Sequence, residues 1–69
     1  MSEDFRVRLL RDGTVPLVEF GKEAFGLSAD ASRRAGKTGD IPTVKIGGQY
    51  FVPCIKARRL LGLDTLQAA

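Results

Sequence analysis

Apolar and polar positions change period several times along this chain, and each change marks an element. Phe5-Arg6-Val7-Arg8-Leu9-Leu10 alternates apolar and basic residues, the period of a half-buried strand, and Arg11-Asp12-Gly13-Thr14 then reads as a turn. A strand cannot stand alone, so this one is expected to pair with a later hairpin or with another molecule. A helical period follows from near Thr14 to Pro16, with Thr14 as N-cap and Pro16 in the first turn. Leu17, Val18, Gly21, Ala24 and Phe25 form its inward stripe, and Glu19, Lys22 and Glu23 its outer side. Phe20 does not fit that stripe. Gly21 costs the helix about 1 kcal/mol relative to Ala, and the expected compensation is close approach of a second helix.

Gly26-Leu27-Ser28 is a turn, with Gly26 suited to the left-handed conformation and Ser28 to the next N-cap. The second helix is expected over Ala29 to Lys37, with Asp30 and Lys37 placed to suit its dipole. Ala31 and Ala35 line its inner side, and Arg33, Arg34 and Lys37 project outward. Next comes a hairpin, Val44 to Val52, tipped by Gly47-Gly48. A three-residue loop, Gly47-Gly48-Gln49, gathers Val44, Ile46, Tyr50 and Val52 on one face and leaves Lys45 and Phe51 on the other. A two-residue loop mixes polar and apolar residues on each face, so the three-residue register is the expectation. From Pro53 a third helix runs to about Leu61, with Ala57, Leu60 and Leu61 inward and Lys56, Arg58 and Arg59 outward. Gly62 is its C-cap, and Asp64 is placed to cap a short turn through Leu66.

Sixty-nine residues make one domain with a lean core. With one Cys and no His, neither a disulfide framework nor the usual zinc cluster supplements it. Cys54 reads as a small apolar side chain. No run is long and apolar enough to span a bilayer, and no signal peptide opens the sequence, so a cytoplasmic protein without membrane contact is expected. Net charge is +3, but unevenly spread. Residues 1–27 carry four basic and five acidic groups, whereas residues 28–69 carry seven and three. The basic excess coincides with the second helix and the hairpin, which points to a polyanion partner.

Helix, short glycine-containing turn, basic helix and hairpin form the outline of a helix-turn-helix with a wing. On Glu23-Ala24-Phe25-Gly26-Leu27-Ser28, Gly39-Asp40-Ile41-Pro42, and Val44-Lys45-Ile46-Gly47-Gly48-Gln49-Tyr50 with Val52-Pro53, the chain resembles excisionase-like members of the MerR-type winged helix-turn-helix superfamily. The match covers roughly residues 15 to 61. It implies an α+β fold of three short helices plus a β-hairpin wing, with a core over residues 14–62, an N-terminal strand or arm over 1–13 and a tail over 63–69. It further implies that the second helix enters the major groove while the wing touches the minor groove or backbone. On that basis Ala29, Ser32, Arg33 and Lys37 face base edges and phosphates. Arg34 and Lys45 meet phosphates, and Gly48 and Gln49 sit at the wing tip. Proteins of this kind bind side by side on attachment-site DNA, bend it and direct a tyrosine integrase toward excision. Self-association along double-stranded DNA and an integrase partner are therefore expected.

Two departures from the family qualify this. Gln49 and Phe51 stand where the family often has Arg or Lys, and Ala35 and Gly36 where bulkier residues are common. Both lower the expected affinity per copy and favour cooperative binding. The alternatives are a small MerR-like transcriptional regulator or phage repressor, and a protein-interaction module that does not bind DNA. A full activator is not expected, because no heptad-patterned helix follows residue 62 in this sequence. Ala31 to Thr38 matches a loosened phosphate-binding loop, but the first Gly and the preceding buried strand are missing. Without His or clustered carboxylates, no catalytic constellation assembles, so neither enzyme activity nor a cofactor or metal is expected.

Overall fold

A computed structural model describes residues 1–63, so the cap expected at Asp64 lies outside the described residues. The order is α1 (Glu3–Arg11), β1 (Thr14–Pro16), α2 (Leu17–Phe25), α3 (Ala29–Thr38), β2 (Val44–Ile46), β3 (Gln49–Pro53) and α4 (Cys54–Leu61). The three strands form an antiparallel sheet in the order β1-β3-β2. This α+β arrangement of four helices and a small sheet is compatible with a winged helix: α2 and α3 make the helix-turn-helix, and β2–β3 the wing.

The expected strand over Phe5–Leu10 is instead helix α1. Ser2 caps it, its Oγ accepting the Phe5 N–H at 3.1 Å. Glu3 and Asp4 occupy the first turn and Arg8 and Arg11 the last, as the helix dipole favours. The alternation hides a second period, because Phe5 and Leu9 stand four apart and both are buried. Val7 and Leu10 consequently face solvent. Polar ties fix the helix to its neighbours: Arg8 Nη1 reaches Glu19 Oε2 at 2.7 Å on α2, and Arg58 Nη1 on α4 donates to the Leu9 carbonyl at 2.8 Å. The hydrogen bond to Glu19 is the main reason the Arg8 pKa lies above its ordinary value.

A strand before the hairpin does exist, at Thr14–Pro16 rather than over Phe5–Leu10. Thr14-Val15-Pro16 pairs with Pro53-Val52-Phe51, taking the place of the expected helix start. Pro16 sits at φ −60° and ψ 141°, which is extended, and a residue before proline is itself driven extended. Proline lacks the N–H that a central strand must donate, and an edge strand tolerates that loss. The helix begins at Leu17.

The core is Phe5, Leu9, Val15, Leu17, Phe20, Ile41, Val52, Cys54 and Ala57, drawn from every element except α3 and β2. Phe20, which the stripe left out, is fully buried, with its ring 6.3 Å from Phe5 and 5.7 Å, edge-on, from Phe25. Phe25, expected inward, is 46% exposed. Leu60 is likewise exposed, whereas Ala57 is buried as expected. Cys54 is a buried packing residue whose thiol pKa is pushed up by burial, so it stays protonated.

The close helix–helix approach anticipated at Gly21 is present. A Cβ there would collide with Ser32 Oγ and come within 2.7 Å of Ser32 Cβ on α3. Gly36, one turn further along α3, packs likewise, since its Cβ would lie 2.8 Å from Leu17 Cδ2. The inner side of α3 is therefore Ser32 and Gly36. Ala31 and Ala35, expected there, are half-buried on a flank. Ser32 Oγ is buried without a hydrogen-bond partner among the described residues.

Two substitutions test this contact. Gly21→Ala should lower the unfolding free energy by about 2 kcal/mol, overpacking outweighing its better helix propensity. Ser32→Ala should raise it by about 1 kcal/mol by removing an unpaired buried hydroxyl. Urea unfolding of both variants checks this, and a destabilised Ser32→Ala would show that the hydroxyl has a partner.

Candidate nucleic-acid interface

Local rules hold α3 in place. Ser28 Oγ accepts the Ala31 N–H at 3.2 Å, Asp30 lies in the first turn, and Gly39 at φ 87° ends the helix. With Ser32 and Gly36 turned onto α2, the 100° step between residues sends Arg34 and Lys37 away from the core. Ala29, Arg33, Arg34 and Lys37 are all exposed, and Asp30, Arg33, Arg34 and Lys37 border one shallow depression. Arg33 Nη1 contacts Asp30 Oδ1 at 3.3 Å, an exposed pair of the kind worth about 1 kcal/mol or less. A phosphate would displace it readily. Arg34 and Lys37 enter no ion pair among the described residues.

Ser32 must be removed from the residues expected to face DNA. It lies on the face of α3 opposite Arg34 and is fully buried against Gly21, where no surface partner reaches it. The other seven, Ala29, Arg33, Arg34, Lys37, Lys45, Gly48 and Gln49, are at the surface.

The wing departs from its expected register. Val44 pairs with Phe51, Lys45 with Tyr50 and Ile46 with Gln49, so the loop is the two residues Gly47-Gly48. Both have positive φ, 60° and 82°, as a type I′ turn requires. Such a turn matches the right-handed twist of its strands, and that local fit overrides the sorting of polar from apolar residues. Pairing partners share a face, so Lys45 and Tyr50 lie on the face of Val52 and Val15, which is the core side. Val44, Ile46, Gln49 and Phe51 lie on the other. Val44 and Ile46 are thus exposed rather than inward, and Phe51 is half-buried mid-sheet between Val44 and Pro16.

This register brings the wing to the helix. Arg33 from α3 and Gly48, Gln49 and Tyr50 from the wing line a single cleft with residues 16–18. Lys45 Nζ stands over the Tyr50 ring, 5.7 Å from its centroid, so one wing cation is held on the helix-facing side. Tyr50 thus supports Lys45 as well as packing across the strands. The two-residue loop was the signal that would have revealed it.

The depression on α3 and the cleft beside it share Arg33, so the exposed cations Arg33, Arg34 and Lys37 run up to the wing, where Lys45 stands over Tyr50, a residue of the cleft. Long flexible cations, exposed small residues and a glycine-tipped wing suit a polyanion with regularly spaced charges. Among the described residues, no cluster of three or more His, Cys, Asp or Glu is placed to hold a metal ion. No helix among them is long and apolar enough to cross a membrane. No protein-family model, curated protein or solved structure gives a significant match to the chain.

The turn geometry makes an asymmetric prediction. Gly47→Asn should be neutral or stabilising, because Asn tolerates the left-handed conformation at the first position of a type I′ turn. Gly48→Val should cost about 1–2 kcal/mol, since a β-branched residue at positive φ is strained. Thermal unfolding of the two variants distinguishes them, and equal losses would argue for another loop.

Proposed function

We propose that this chain binds double-stranded DNA, with α3 in the major groove and the wing against the adjacent backbone or minor groove. The observation that carries this reading is the cleft shared by Arg33 and the wing tip, continuous with the exposed Arg34 and Lys37. Each part has a distinct task. Arg34, Lys37 and Lys45 neutralise phosphates, Arg33 exchanges Asp30 for a base edge or phosphate, and the Ala29 methyl meets apolar base surface such as a thymine methyl. Gln49 hydrogen-bonds to minor-groove acceptors, and Gly48 lets the backbone approach closely.

The resemblance to excisionase-like proteins supports a narrower reading within this one. The protein acts as an architectural factor in the cytoplasm, without catalysis or cofactor, binding adjacent sites, bending attachment-site DNA and working with a tyrosine integrase. Four cations on a small surface favour this over tight solitary binding, because few counterions are released per copy.

Salt dependence tests the DNA reading. With four phosphate contacts, log K against log salt should fall with a slope of roughly −3 to −4, and Lys37→Ala should flatten it by about 1. Affinity indifferent to salt would sink the proposal. Footprinting separates the narrower readings: adjacent direct sites with bending support the excisionase role, whereas one unbent palindrome supports a repressor.

A further inference from the structure

The surface assigned to DNA carries one carboxylate among its cations. Asp30 is the single acidic residue bordering the depression on α3 and the cleft beside it. It stands two residues before the buried Ser32 and therefore on the opposite side of the helix, one turn from both Arg33 and Arg34. Its side chain is 87% exposed. The fold makes little use of it. Ser28 Oγ caps the helix by accepting the Ala31 N–H, and the one hydrogen bond that Asp30 accepts among the described residues comes from Arg33 Nη1 at 3.3 Å. A first-turn carboxylate also suits the helix dipole, a contribution indifferent to any DNA sequence.

DNA binding changes the position of this group. When Arg33 turns to a base edge or a phosphate, Asp30 loses that partner while surrounded by phosphate charge. It then either repels the duplex or accepts a hydrogen bond from it. Base edges in the major groove offer two kinds of donor, the amino groups of cytosine and of adenine. The adenine amino group sits beside N7, an acceptor that repels a carboxylate, whereas cytosine has no acceptor next to its amino group on that edge. First-turn residues are also those that a recognition helix brings to base edges.

We infer that Asp30 reads a cytosine in the major groove, its carboxylate accepting a hydrogen bond from the N4 amino group. Asp30 makes the surface selective where its cations alone would hold any sequence. The inference rests on the proposed DNA binding and adds to it the base that is read.

Selection of binding sites from a randomised duplex pool by the full chain is the test. Enriched sites should hold a cytosine at one position, and thymine there should weaken binding roughly tenfold. Asp30→Asn should move the preference at that position alone from cytosine to adenine, whose N6 and N7 both pair with an amide. Asp30→Ala should abolish the preference and strengthen binding to unselected duplex, because a charge of the same sign as the phosphates is gone. Should either variant lose helix by circular dichroism, the unmodified chain decides. Replacing that cytosine by 2-pyrimidinone, which lacks the amino group, should cost as much as thymine does, and the same replacement outside the site should cost nothing. Enriched sites without a cytosine, or a preference that both variants leave unchanged, overturn the inference while the DNA reading stands. Absence of salt-dependent binding to any duplex removes both.

Discussion

The contact between Gly21 and Ser32 is the constraint on which the rest of the arrangement depends. Helices pack at distances set by the side chains at their crossing point, and here one partner contributes no side chain at all. That lets α3 come so close to α2 that a single added carbon on Gly21 would collide with it. The approach also fixes the rotation of α3 about its axis. Once Ser32 and Gly36 face inward, the 100° step sends Arg33, Arg34 and Lys37 outward, and Ala31 and Ala35 to the flank. The cost is a buried serine hydroxyl without a partner among the described residues, an unusual thing to retain in so small a core.

The sheet has a comparable dependence on one segment. β3 lies between β1 and β2, so it joins the wing to the body of the protein. Val52 and Val15 bury one face at the base of the sheet, and the same strand carries Tyr50 and Gln49 out to the wing tip. The wing is therefore an extension of the core strand, which sets its angle to α3. The helix α1 supports this from behind, tied by Arg8 to α2 and by the Arg58 bond to its last turn. Arg8 and Arg58 are engaged in such ties, whereas Arg34 and Lys37 on α3 enter no ion pair among the described residues.

Two surfaces of α3 thus have different chemistry because two kinds of residue flank the buried line. On one side the long cations make a polar face that continues to the wing. On the other the alanines leave an apolar hollow beside Phe25 and Leu60. Arg34 stands at the boundary and lines both.

Sequence alone determined the elements whose signals are local. The Ser28 cap, the caps at Gly26 and Gly62, the extents of α3 and α4, and the outward cations of α3 all follow from backbone chemistry within a few residues. Even the Gly21 approach was legible, because a helix-interior glycine needs a compensating reason. Tertiary structure decided what rests on a choice between two locally acceptable periods. Phe5 to Leu10 satisfies both an alternating and a helical pattern, and the helix prevails because Phe5 and Leu9 find Phe20 and the α4 side of the core. Thr14 to Pro16 becomes a strand because β3 offers its edge. The wing takes its tight glycine turn, at the expense of exposing Val44 and Ile46, because strand twist and the pairing of β3 with β1 jointly fix the register. Whether Ser32 faces solvent or core was set by rotation of a whole helix, which depends on the partner it packs against and not on its own residues.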